Sequence, residues 1–166
     1  KHKLNYIENL REFKGNEYTA FGSALHTVCE NMVQRYSVDA VPIFDPKVMF
    51  QEEFLRNLKE IKEASPLIEL RPDLISSMRL QGDKLTDYII PGLQKTFGSF
   101  ELVEVEEKLY EPIPDTDLKF KGFIDLVIKT KDGKYHIIDW KTCSWGWDRR
   151  RRSEKLVTYQ LTLYKH

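Results

Sequence analysis

The sequence predicts an α/β domain with a mainly helical first half and a sheet in the second, on three observations. Up to about Phe97 apolar residues recur at helical spacing, and from Phe100 they gather into short strand-like runs. Between two of those runs stands Lys131-Asp132-Gly133, a strong hairpin signal. The third observation is the length: 166 residues, 41% apolar and 12% aromatic, suffice for the core of one ordinary domain and exclude disorder or a collagen-like repeat. The expectation is one domain over residues 1–166, with a helical part at 1–97 and a sheet part at 100–166.

The elements follow in order. Phe21, Ala24, Leu25, Val28, Met32, Val33 and Tyr36 form the apolar stripe of a helix over about 19–36. Asp45-Pro46 is a helix start, an N-cap acid followed by proline at the first helical position. Phe50, Phe54, Leu55, Leu58 and Ile61 then form a second stripe, which stops before Pro66. A third helical stretch runs from Asp73 to Ile89, weakened by Gly82 and kinked or broken at Pro91-Gly92. Strands are expected over 100–110, 120–128 and 135–140, with a loop at 112–117. A polar, aromatic loop over 143–152 leads to a last helix near Ser153. That helix reaches His166 with no cap residue, as if truncated.

The totals narrow the function. Lys plus Arg number 26 and Asp plus Glu number 26, so any anion site must be local. The two cysteines, Cys29 and Cys143, stand far apart and cannot build a four-thiolate iron–sulfur or zinc site; they read as reduced thiols of a cytoplasmic protein. No apolar run approaches the ~18 residues of a membrane span, and the N-terminus lacks a signal-peptide core.

Chemistry concentrates on the hairpin. Asp125 and Asp139 each interrupt an apolar strand, and a turn centred on Asp132 sets them opposite each other, with Cβ atoms ~5 Å apart. A loop one residue different would pair Asp125 with Trp140 instead. Lys141 lies two residues beyond Asp139, on the same face of a strand. Two carboxylates converging in an apolar sheet repel each other unless a cation sits between them, and hard oxygen ligands suit Mg²⁺ or Mn²⁺. A metal, a water and a lysine together meet the needs of phosphodiester hydrolysis. Asp-x-Lys by itself is common, and a strand-end aspartate more often caps a turn or pairs with a surface lysine.

Three further strings make the pattern specific. Gly122-Phe123-Ile124-Asp125, then Asp139-Trp140-Lys141-Thr142, then Gln160-Leu161-Thr162-Leu163-Tyr164 follow Gly22, His26 and Glu30 on the first helix. In this order they resemble the PD-(D/E)XK nuclease superfamily, and within it the RecB-like exonuclease branch. The resemblance spans about 22–164. It implies a restriction-endonuclease-like α/β fold, a central mixed sheet flanked by helices.

It also implies roles. Asp125, Asp139, His26 and the Trp140 backbone carbonyl would hold one or two Mg²⁺ or Mn²⁺ ions, and Lys141 would stabilise charge or position a water. Gln160 would support the Lys141 region, and Tyr164 would touch the DNA backbone. A conserved acid on the preceding strand has three claimants, Glu104, Glu106 and Glu107, of which spacing to Gly122 favours Glu106. The helical period supports His26 independently, since Gly22, His26 and Glu30 share one stripe beside the apolar face. Branch members with an iron–sulfur cluster need four cysteines, which this chain lacks.

Beyond Lys141 the chain carries Trp145, Trp147, Arg149, Arg150, Arg151, Arg152 and Lys155, its sharpest local charge anomaly. Arginines grip phosphates and indoles stack on unpaired bases, so this loop is a candidate DNA contact favouring single strands or frayed ends. The bland alternative is a solvated loop paired with glutamates. Helicase motifs are absent, so any helicase or recombination partner is another chain or lies outside this sequence. The expected function is a metal-dependent DNA exonuclease in recombination, repair or phage DNA processing. The rivals are a structure-specific endonuclease, an inactive nuclease-fold module that binds nucleic acid, and a protein-interaction domain with an incidental motif.

Overall fold

A computed structural model describes residues 15–37, 44–112, 117 and 119–143. Four helices, α1 (Glu17–Ser37), α2 (Pro46–Ala64), α3 (Pro72–Thr86) and α4 (Ile89–Phe97), precede three strands, β1 (Phe100–Pro112), β2 (Lys119–Thr130) and β3 (Tyr135–Ile138). The expected mixture of a helical first half and a following sheet is therefore what forms. Among the described residues the strands pair antiparallel in the order β1-β2-β3. The last helix expected near Ser153 lies outside the described residues.

Helix starts follow local chemistry. Asn16 Oδ1 accepts from the N–H groups of Tyr18 and Thr19 at 3.0 and 3.1 Å, and Thr19 Oγ1 accepts from Asn16 N at 2.8 Å. This reciprocal cap opens α1 at Glu17, two residues before the expected start at about 19. Asp45 Oδ1 accepts from Lys47 N at 2.8 Å, with Pro46 at the first position of α2. The third helical stretch divides earlier than Pro91-Gly92. α3 ends at Thr86, and α4 begins at Ile89 with Pro91 in its first turn. A proline there removes no intrahelical bond, because first-turn N–H groups have no partner within the helix. Gly98, at φ 70°, closes α4 in a left-handed conformation that glycine adopts without strain.

Packing ties the two halves together. Phe21 on α1 meets Phe50 and Phe54 on α2 edge-on, with ring centroids 5.4 and 5.9 Å apart. Ala20, Ala24, Val28, Leu58 and Met78 complete this helical core. A second core joins Val33 of α1 and Leu93 of α4 to Leu126 and Ile128 of β2. Trp140 packs against both cores, so the segment after β3 is anchored where helices and sheet meet. Gly82 on α3 is a packing requirement as much as a helix weakener, since a Cβ there would stand 2.0 Å from the Phe50 ring.

Candidate active site

The hairpin register is the one centred on Asp132: Leu126 pairs with Ile138, Ile128 with His136 and Lys129 with Tyr135. The pairing ends at Leu126 and Ile138, with Asp125 and Asp139 each one step past this last pair. On the other side of β2, Val105 pairs with Leu126 and Glu107 with Ile124, which sets Glu106 opposite Asp125. A register shift between Leu102 and Glu104 leaves Val103 as an extra residue and determines this alignment. Glu106 and Asp125 thus lie across from each other on β1 and β2, with Asp139 just past the end of β3. Glu106 adopts φ 55°, a left-handed conformation rare for a residue with a side chain.

β3 ends at Ile138, two residues short of the expected strand. The backbone of Trp140 explains the early end. Its N–H donates to Asp125 Oδ2 at 2.7 Å, and His26 Nε2 lies 2.7 Å from its carbonyl oxygen. Both polar groups of that peptide are taken by side chains of the site in place of ladder partners. Asp139 and Lys141 nevertheless share a side, since Lys141 Nζ donates to Asp139 Oδ1 at 2.7 Å and stands 2.7 Å from Oδ2.

α1 brings the imidazole. His26 Nδ1 lies 3.6 Å from Asp125 Oδ2, and one turn earlier Gly22 lets the helix approach the chain beyond Lys141. A Cβ on Gly22 would stand 3.3 Å from Thr142 Oγ1, tighter than ordinary contact. A cleft of about 420 Å³ opens beside these groups, walled by Gly22, His26, Glu30, Glu106, Phe123 and Asp125.

Charge in this cleft is under strain. Burial pushes the Asp125 carboxyl above the usual aspartate value; the Trp140 N–H and His26 oppose that shift, and Asp139 adds to it. Glu30 is raised to about 7, by burial first and then by the carboxylates of Glu106 and Asp125. Burial likewise pushes the Cys29 thiol to about 12, with Glu30 and Asp125 adding to it, so this thiol is no nucleophile.

The donor set suits a hard divalent cation. The 2.7 Å contact between His26 Nε2 and the Trp140 carbonyl is a hydrogen bond from a protonated Nε2, so these two donors would turn to an ion only by giving it up. The Asp125 carboxylate adjoins both. Asp139, however, is turned to Lys141. Among the described residues no three His, Cys, Asp or Glu side chains stand together closely enough to hold an ion by themselves. His26, Asp125 and the Trp140 carbonyl are the hard donors that adjoin one another, and an ion held by them and Asp139 would replace both the His26–Trp140 hydrogen bond and the Asp139–Lys141 contact.

The structure brings together His26, Glu106, Asp125, Asp139, Trp140 and Lys141 from the sequence-predicted set. Gln160, Tyr164, Trp145, Trp147, Arg149, Arg150, Arg151, Arg152 and Lys155 lie outside the described residues. Phe123 was missed as a wall of the cleft, although Lys121-Gly122-Phe123-Ile124-Asp125 sets an aromatic on the same alternation as the acid. Glu30, which the helical period sets on one stripe with Gly22 and His26, also walls the cleft. Among the described residues no helix is long and apolar enough to cross a membrane.

A family model of the PD-(D/E)XK nuclease superfamily matches residues 1–166. No similar curated protein and no similar solved structure was found.

Proposed function

The chain belongs to the PD-(D/E)XK nuclease superfamily, and we propose that it hydrolyses DNA as a metal-dependent exonuclease of the RecB-like type. One observation carries the reading: Glu106 lies across from Asp125 in the sheet, Asp139 and its Lys141 partner stand near Asp125 just past β3, and His26 arrives from α1. Burial and the neighbouring Asp139 raise the proton affinity of Asp125, a cost that an isolated structural carboxylate would not carry.

Mg²⁺ or Mn²⁺ is the proposed cofactor, held by His26, Asp125 and the Trp140 carbonyl, with Asp139 available beside them. When bound, the ion supplies Lewis acidity toward a phosphodiester and eases deprotonation of water. The chain supplies the rest. The Trp140 N–H fixes one Asp125 oxygen, so that carboxylate keeps a defined orientation with its remaining lone pairs toward the cleft. Without the ion, His26 Nε2–H donates to the Trp140 carbonyl, which keeps the ring at the cleft until an ion replaces that proton. Asp139 holds the Lys141 ammonium near Asp125, where it can donate to a non-bridging phosphate oxygen or orient the attacking water. Gln160 and Tyr164 retain the supporting and backbone-contact roles that the family resemblance implies. Trp145, Trp147, the arginines 149–152 and Lys155 retain that of a DNA-contacting loop.

The test is digestion of end-labelled linear and closed circular DNA, single- and double-stranded, in Mg²⁺, Mn²⁺ and EDTA. Asp139→Ala and Lys141→Ala are run beside wild type. Metal-dependent loss of linear DNA alone, abolished in both variants, is the expected result. Cleaved circles would make the enzyme an endonuclease, and intact DNA throughout would leave a nucleic-acid-binding module without catalysis.

A further inference from the structure

One face of the β1–β2 ribbon carries a lattice of lysines and aromatic rings. The register pairs Lys108 with Phe123, Tyr110 with Lys121 and Pro112 with Lys119, so these residues share a face. Lys108 and Lys119 lie over the Tyr110 ring, their ammonium nitrogens 5.7 and 4.8 Å from its centroid. Lys121 lies 5.4 Å over the Phe123 ring. Tyr110 is 55% and Phe123 45% exposed, so both rings are open to solvent on this face. Lys47, Lys59 and Lys134 pair with carboxylates elsewhere. Among the described residues Lys108, Lys119 and Lys121 have no such pair.

The lattice runs directly into the site. Alternation along β2 continues Lys119, Lys121 and Phe123 to Asp125, and along β1 it continues Tyr110 and Lys108 to Glu106. Phe123 belongs to both surfaces, since it also walls the 420 Å³ cleft. From Lys119 to Asp125 the strand covers ~20 Å.

We infer that this face is the track along which one unpaired nucleic-acid strand lies as its end enters the acidic site. Resting on the nuclease reading above, the inference adds the form of the substrate and the surface that receives it. The chemistry selects a single strand over a duplex. A duplex hides its base faces and offers only phosphates, for which exposed lysines suffice. Solvent-facing rings between those lysines have a use only where bases are unstacked and present a π-face. The lysines keep the rings' upper surfaces electropositive and meet the phosphates on either side. A protein partner would need apolar complementarity that three ammonium groups oppose.

Binding measured without catalysis separates this inference from the nuclease reading. Fluorescence anisotropy of a labelled 12-nucleotide oligothymidylate and of a 12-base-pair duplex is followed in EDTA across a salt series. Wild type is compared with Tyr110→Ala and with the triple variant Lys108→Gln, Lys119→Gln, Lys121→Gln. All are exposed positions, and thermal melts verify folding. The expected result is a tenfold or greater loss of single-strand affinity for Tyr110→Ala, with little change on duplex. The triple variant is expected to flatten the salt slope of single-strand binding by about 2. Unchanged single-strand affinity and slope in folded variants would overturn the track, even if wild type digests DNA. Losses confined to duplex would overturn the single-strand assignment. Selective losses in a chain that cuts nothing would uphold the track and overturn the nuclease reading alone.

Discussion

Replacing Gly82 with alanine should destabilise the fold, against the trend of helix propensity. In an exposed helix the change stabilises by ~1 kcal/mol. Here the new Cβ would stand 2.0 and 2.1 Å from Cε1 and Cζ of Phe50, and 2.7 Å from Cδ1. Carbon atoms rest ~3.5–4.0 Å apart, so the ring or the helix must retreat by about 1.5 Å. Phe50 has nowhere to go: it is fully buried, with the Phe21 ring centroid at 5.4 Å and the Phe54 centroid at 5.7 Å. Overpacking of a well-filled core costs 1–3 kcal/mol, and a rigid ring on three sides sets the upper end of that range. The balance is a loss of about 2 kcal/mol, or about 4–8 °C in Tm for a domain of this size. Thermal and urea melts followed by circular dichroism measure it. Combining Gly82→Ala with Phe50→Leu should cost at least ~1 kcal/mol less than the sum of the single changes, because the shorter side chain removes the overlap. A Gly82→Ala protein that melts at or above wild type would refute the packing argument.

The other expected outcomes concern charge and catalysis. Glu17 is buried and accepts hydrogen bonds from Arg71 N and Nε at 2.9 and 3.2 Å. Burial alone would raise its pKa, but these bonds and the Arg71 charge hold it below the usual value. Its contribution is therefore present above the ordinary glutamate pKa and lost as pH falls through the depressed one. Glu17→Gln should cost about 2 kcal/mol at pH 7 and show a shallower decline below pH ~4.5 in acid titrations of stability. Glu30 has the opposite sign: raised to about 7, it penalises the fold as pH climbs from its unfolded value through that point. In EDTA, Glu30→Gln should match wild type near pH 4.5 and exceed it by about 2 kcal/mol above pH 7, after allowing for partial exposure. Equal urea midpoints at pH 8 would remove the repulsion argument. Asp125→Ala, Asp139→Ala and Lys141→Ala should each lower DNA hydrolysis by at least ~10²-fold with folding intact, read from initial rates and melts of the same preparations.

What could be read without coordinates was what the chain settles among near neighbours. Asp45-Pro46 opens α2 because a side chain can reach an N–H two residues away, and no tertiary contact is needed. The hairpin register is similarly local, since a turn at Asp132 leaves one alignment that keeps Leu126, Ile128 and Ile138 toward the core. That alignment already sets Asp125 and Asp139 each one step past the last pair. The helical stripe of Gly22, His26 and Glu30 follows from the 3.6-residue period alone.

Other features depended on contacts between distant segments. Among three glutamates on β1 spacing favours Glu106, but only the shift at Val103 and the pairing with β2 set it opposite Asp125, and no residue in that stretch announces the bulge. The early end of β3 has its cause 114 residues upstream in His26, and 15 residues upstream in Asp125. Gly82 reads as a helix weakener until the Phe50 ring is seen resting on it. The Lys–aromatic face emerges only when β1 is laid against β2, because each strand alone shows merely a lysine beside a ring. The sequence by itself determined the helices, the hairpin and the chemistry available to this protein, since those arise from spacing along one chain. The tertiary structure decided which acid lies across from Asp125, where β3 stops and which surface continues from the cleft, because side chains separated in sequence meet only through packing.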